Sequence, residues 1–495
     1  MPDARDGEAR IRRRVMPVRR RGRAPDILPA PYFPANFARM HSKESADLLL
    51  APRWLLPIAP DNVVLTDHAV IVTGGRIVAM GPEADLAARF EPRERISRPD
   101  HALLPGFVNA HTRAAMCLLR GLPVYTPLMR WMQEVVAPAE LRSVSPDFVR
   151  DGTQLAIAEM LRAGITAFAD SYLYPEEAAR TAAEARVRAV IGMPVSESAT
   201  GGAEDAMAHF ARAERLWDDY KSSPWVSLYF APPASYAIGD GLLSRLRSVA
   251  DEVDARIAMP VHQTQIEVRH TLRDHGRRPL RRLADLGLLR PGFTAVHMNH
   301  LHEDDLELAE RTGLSVVACP QSDLRLASGC CPVDALVARK VTVALGTDSP
   351  MSAGALDILA EARTAALFAG AAAAPRGADD YSGGEHTPAG LSAATALSLA
   401  TLGGASALGL GGTCGSIEIG KAADLVCIDL AQLATHPVTS IAEAVLFSAT
   451  RHQICDVWVG GHAAVSEGRL LAFDEKELIQ LARRWAGRIQ IGVAA

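Results

Sequence analysis

The chain has 495 residues, 48% of them apolar and 22% charged, with a formal net charge of -5. So small a charge on so long a chain argues against a dedicated nucleic-acid surface, and no stretch approaches the ~20 unbroken apolar residues of a membrane span. Seven cysteines without a Cys-x-x-Cys pair, of which only Cys330 and Cys331 are close, read as reduced thiols in a cytoplasm. The composition therefore points to a cytoplasmic protein that acts on small molecules.

Residues 1–45 carry RIRRRVMPVRRRGRAP and then PAPYFPANF with no periodic apolar pattern, and are expected to be a disordered, solvated tail. Met40 is an alternative start. No apolar core follows the basic run, so export is not expected. Residues 46–102 turn to alternating β segments such as HAVIVTGGRIVAMGP, and residues 407–475 to SIEIGKAADLVCIDL and ICDVWVGGHAAV. These two blocks are expected to pair as a small β-sandwich built from both chain ends, with a last helix over 476–495. Between them, over 103–406, apolar runs such as ITAFADSY, VRAVIGMPV, VSLYFAPP and VTVALGTD alternate with alanine- and leucine-rich helical stretches. That rhythm predicts βα units on a parallel sheet, and seven or eight of them favour an α/β architecture of the (β/α)8, TIM-like barrel type. No glycine-rich phosphate loop follows a strand, which counts against a dinucleotide-binding fold.

In such a barrel the functional groups sit at the carboxyl ends of the strands. The polar residues there are His111 in LLPGFVNAHTRAAM, Pro260 to Gln263 in MPVHQ, His297 in AVHMNH and Asp348 in ALGTDSP. A lone strand-end histidine is more often a structural hydrogen-bonding group than a ligand. Four strand ends in one order carry more weight. With GTQLAIAEMLRAGITAFAD, HGRRPLRRLADLGLL, LRLASGCCPV, EARTAAL and GSIEIGKAADLV, they resemble the amidohydrolase superfamily over residues 47–475. The resemblance is to the branch of methylthioadenosine/S-adenosylhomocysteine deaminases and triazine chlorohydrolases.

That resemblance implies one divalent metal, zinc or iron, that turns water into hydroxide near neutral pH. It implies a His-x-His after the first barrel strand, a His-x-x-Glu after the fifth whose Glu moves protons, a substrate-polarising His after the sixth and a metal-binding Asp after the eighth. His111, His297 and Asp348 match. Arg113 stands for the second His, Pro260 for the fifth-strand His and Gln263 for the Glu. Proline offers no donor, an arginine keeps its proton, and an amide cannot accept and release one. The family's Pro-His-Ala-Pro-Tyr reads Pro232 to Tyr236 here, the Glu after CP is Gln321, and two asparagines after the last Asp are Ala353 and Gly354.

The expected site thus comprises His111 and Asp348 as remnant metal ligands, His297, Gln263 and His262 as the catalytic set, and Trp131, Tyr236 and His297 against the substrate. Residues two apart on a strand share a face, so His262 is expected to point inward about 6.6 Å beyond Pro260, although a hydrogen-bonding wall residue is the alternative. Arg113 is expected to pair with Asp348 in place of the metal. The expectation is no cofactor, or at most one weakly bound zinc or iron. Three readings compete. The favoured one is a pseudoenzyme that still binds a nucleoside or heterocycle. The second is an active metal-dependent hydrolase of non-peptide C–N bonds that deaminates an adenosine-like substrate, and the third a metal-free acid–base enzyme. Nucleic acid and membrane are not expected as partners, whereas a homo-oligomer is possible.

Overall fold

A computed structural model describes residues 43–124, 127–373 and 390–494. The tail expected over 1–45, with Met40, lies outside the described residues up to residue 42. Eight parallel strands form the barrel: β1 Phe107–Thr112, β2 Ile165–Asp170, β3 Arg188–Pro194, β4 Val226–Ala231, β5 Arg256–Val261, β6 Phe293–His297, β7 Ser315–Ala318 and β8 Thr342–Leu345. Each pairs with its neighbour in chain order. They read as apolar runs because helices cover one face and the packed interior the other. All six residues of β1, and all six of β2, are buried.

The ring closes between β1 and the segment after β8. Thr112 and Asp348 form a parallel bridge, and the Asp348 N–H donates to the His111 carbonyl at 3.0 Å. Gly346 is required at this seam, because a Cβ there would come within 2.8 Å of the His111 backbone oxygen. The sharp geometry expected at Gly106 has a similar cause: a Cβ would meet Thr166 Oγ1 at 2.1 Å.

The two chain ends build one nine-stranded sheet. Its joint is the long strand Phe90–Pro105, parallel to Glu44–Leu55 on one side and antiparallel to Leu425–Asp429 on the other. Leu48, Leu50, Val70 and Val72 from the early block share a buried cluster with Leu425, Cys427 and Trp458 from the late one. Arg188 of β3 ties the barrel to this sheet through Asp424, which also accepts the Gly460 N–H at 2.7 Å. The last helix, Glu475–Ala494, returns to the barrel. Its Trp485 stacks edge-on against Phe148 at 5.3 Å and donates its indole N–H to Asp151. Phe148 belongs to the helix Pro146–Arg162, whose start is set by Ser145 accepting the Phe148 N–H and by proline in the first turn. Among the described residues no helix is long and apolar enough to cross a membrane.

Candidate active site

The strand ends converge on a cavity of about 340 Å³ at the carboxyl mouth of the barrel, with Arg113, Pro260, Gln263, His297 and Asp348 in its lining. A larger cavity of about 690 Å³, lined by Val63, Val343, Leu399 and Ile441 among others, holds none of these groups. The mouth is therefore the place to look for chemistry.

His111 is the fifth residue of β1 and is buried. Its Nε2 has no hydrogen-bond partner and lies 3.8 Å from Asp348 Oδ1. Burial pushes the imidazole down to about 3, opposed by Asp348 and helped by the charges of His297 and Arg113. Asp348 follows β8 and accepts Ser322 Oγ at 2.8 Å and Ser352 Oγ at 3.3 Å through Oδ2. Burial alone would raise this carboxyl, but Arg113, His297 and His111, with the Ser322 hydrogen bond, hold it below the usual range. A neutral imidazole thus faces an ionised carboxylate.

Arg113 Nε stands 3.7 Å from the same Asp348 Oδ1, with a third of its side chain exposed to the cavity. The contact is an ion pair without a hydrogen bond, so the guanidinium is held by charge rather than by a fork. His297 ends β6 with its ring edge-on to His111 at 6.1 Å. Its Nδ1 lies 2.9 Å from Asp323 Oδ1. Burial lowers its pKa, yet the charge and proximity of Asp323, joined by Asp348, carry it above the ordinary histidine value.

The remaining expected residues take different places. Gln263 lines the cavity, its backbone N–H donating to Glu267 Oε2 at 2.8 Å and its carbonyl accepting Asn299 Nδ2. Trp131 is buried, forms part of the wall and donates its indole N–H to the Pro123 carbonyl. Tyr236 is 43% exposed at the rim.

His262 does not enter the cavity, which corrects its placement beside Pro260. Strand β5 ends at Val261, and His262 has a φ of 56°. Strand alternation no longer applies there. The ring turns away from the mouth, where Nε2 accepts the Leu280 N–H at 3.2 Å and Nδ1 lies 3.1 Å from the His300 carbonyl. Its role is to brace two loops.

His262→Ala should cost about 1–3 kcal/mol near neutral pH, since the Leu280 N–H is left buried without an acceptor. Burial holds the His262 pKa down to about 4 against an ordinary 6.5. The native state therefore keeps it neutral while the unfolded chain takes up a proton, and the wild type loses stability as pH falls from 6.5 toward 4. The stability gap between wild type and variant should narrow by about 2 kcal/mol between pH 7 and pH 5. Chemical denaturation at the two pH values measures it, and a gap independent of pH would refute the assignment.

Two cavity groups and one residue buried behind the wall are not among the expected site residues. Asp323 holds His297 from the short helix Pro320–Arg325. Glu140 and Tyr172 form a polar wall, with the tyrosine hydroxyl donating to Glu140 Oε1 at 2.8 Å. Glu140 lies within the WMQEVVAPAE segment, and Tyr172 two residues past β2 in ADSY, so both stood near recognised signals.

A model of the amidohydrolase family matches residues 102–464 of the chain. The chain belongs to the amidohydrolase family. Amidohydrolase relatives include the 5-methylthioadenosine/S-adenosylhomocysteine deaminases of Saccharophagus degradans, 38% identical over 91% of this chain and 98% of that protein, and of Teredinibacter turnerae, 36% identical over 91% and 99%. Among solved amidohydrolases, an adenosine deaminase from Xanthomonas campestris with bound zinc is 42% identical, covers 91% of this chain and all of its own, and superposes with a TM-score of 0.87. The zinc complex of atrazine chlorohydrolase TrzN from Arthrobacter aurescens shares the fold at 20% identity, over 89% of this chain, with a TM-score of 0.80.

The zinc bound by the 42%-identical adenosine deaminase corrects the expectation of no cofactor for this amidohydrolase. The unpartnered His111 Nε2, buried and facing an ionised Asp348, has the protonation state that ligation requires. The two donors fit a divalent cation, while Arg113 and Pro260 supply none.

Proposed function

We propose that the protein is a hydrolytic deaminase that replaces a ring amino group of an adenosine-like nucleoside or amino-heterocycle by a carbonyl and releases ammonia. The observation that carries this reading is the His111–Asp348 pair, with an orphaned imidazole nitrogen 3.8 Å from a carboxylate at the barrel mouth. The deaminase names of its relatives support it. Zinc or iron would be held by His111 and Asp348, and when bound it would supply a hydroxide near neutral pH.

The chain's own residues set the rest. His297, tethered by Asp323, carries the proton that the reaction moves, because Gln263 has an amide where a carboxylate would serve. Gln263 orients the substrate by donating and accepting hydrogen bonds. Glu140 and Tyr172 offer a polar wall suited to hydroxyl groups, and Trp131 and Pro233 an apolar one. With two protein donors where catalytic zinc sites ordinarily use three, occupancy should respond to added metal.

Ammonia release from adenosine, 5-methylthioadenosine and S-adenosylhomocysteine should rise with added zinc or iron and vanish with a chelator. No ammonia from any of the three under any metal would overturn the reading. A second reading, nucleoside binding without hydrolysis, is favoured by Gln263 and by the charge of Arg113 beside Asp348. It predicts a nucleoside-induced rise in Tm with no ammonia.

A further inference from the structure

A second set of metal-ligating side chains lies away from the barrel mouth, in the sheet built from the chain ends. Cys427 on Leu425–Asp429 and Cys455 on Ile454–Val459 sit on adjacent antiparallel strands, with Cys427 directly opposite Asp456. The two sulfurs and a carboxylate oxygen of Asp456 all lie within 4.8 Å of one another. Cys427 and Asp456 are buried, and Cys455 is partly open to solvent. The cluster is therefore reachable from one side.

Its surroundings add two features. His101, on the neighbouring strand Phe90–Pro105, stands against the Cys455 thiol with its Nδ1 buried and without a hydrogen-bond partner. The Cys455 sulfur lies 3.3 Å from both the Cys427 carbonyl and Asp456 Oδ2, two acceptors for one proton.

Charge sets the class of ligand. Arg98 grips Asp456 with two hydrogen bonds, at 2.7 and 3.1 Å, so with protonated thiols the cluster is neutral. Loss of both thiol protons would place two negative charges in a largely buried place, which a divalent cation would balance. Tetrahedral zinc with ~2.3 Å bonds to sulfur sets ligand atoms roughly 3.8 Å apart, so the two sulfurs and the Asp456 oxygen, all within 4.8 Å of one another, need to contract by about 1 Å or less, and the His101 ring has to move in from outside that set.

We propose that Cys427, Cys455 and Asp456, completed by His101, form a structural site for a thiophilic divalent cation such as zinc, which fastens the late strands to the early block of the sheet. Binding exchanges two thiol protons for one cation, and no oxidation is involved. The site is independent of the barrel mouth and of any activity there.

Cobalt titration of the metal-stripped, reduced full-length chain tests it. The expected result is a thiolate-to-cobalt charge-transfer band that saturates near one equivalent, persists in His111→Ala and disappears in Cys455→Ser. Cys455 is the partly exposed cysteine, and far-ultraviolet circular dichroism checks that its variant folds. In the His111→Ala background, where the mouth lacks its imidazole donor, zinc should still raise Tm, and adding Cys455→Ser should abolish that rise. Absence of the band in the wild type, or its survival in Cys455→Ser, would overturn the proposal. So would a thiol count two short of seven in protein denatured without reductant, since that reports a disulfide.

Discussion

The triple variant Arg113→His, Pro260→His and Gln263→Glu should bind about one zinc per chain and raise deaminase turnover by roughly 10²–10⁴-fold, the range that a positioned proton-transfer group contributes. The three positions line one cavity with His297 and Asp348. Removing the Arg113 guanidinium takes away a charge 3.7 Å from Asp348 Oδ1 that opposes any cation there. The new imidazoles bring the donors beside the His111–Asp348 pair to four, and the glutamate supplies a group that can accept and return a proton. Single replacements should gain little, because residues that act as a unit are strongly non-additive. Arg113→His alone should increase metal retained through dialysis and leave turnover nearly unchanged. Metal analysis and ammonia release separate the two effects. A folded triple variant with one bound zinc and no gain in turnover would remove Gln263 from the reaction.

Asp424→Ala should lose about 3–5 kcal/mol of stability, the usual result of stranding one partner of a buried ion pair. Asp424 is 2% exposed and joins Arg188 on β3 to the Gly460 N–H at the sheet of the chain ends. Its removal takes the counter-charge from the Arg188 guanidinium, which keeps only the Pro224 carbonyl, and leaves the Gly460 N–H without its acceptor at the junction between barrel and sheet. The double variant Arg188→Met with Asp424→Leu should cost less than Asp424→Ala alone, since an apolar pair strands no charge. Urea denaturation of both decides the matter. A double variant at least as unstable as the single one would mean that packing, not the stranded charge, dominates.

How far the site could be read from the sequence follows from how each residue is positioned. His111, Pro260, Gln263, His297 and Asp348 lie at or just past the ends of strands, which the βα rhythm locates; four of them border the mouth, and His111 lies buried beside Asp348. His262 was misplaced because alternation was carried one residue too far: Val261 is the last strand residue, and the backbone then turns left-handed. Glu140 reaches the cavity, and Asp323 the buried side of His297, from helices, and such approaches depend on packing across the fold, to which strand patterning is blind. The cofactor was misjudged for a different reason. A sequence shows which donors are replaced, but only the fold shows that a surviving nitrogen is buried and unpartnered.

The seam of the barrel has one more consequence. His111 on β1 and Asp348 just past β8 are separated by almost the whole barrel portion of the chain, yet the Thr112–Asp348 bridge makes them neighbours. They meet only once the six intervening strands are in place, so neither half of the barrel can assemble the pair alone. Metal captured at the mouth would report ring completion during refolding, and its appearance should trail the burial of Phe107 and Phe168 in the first two strands.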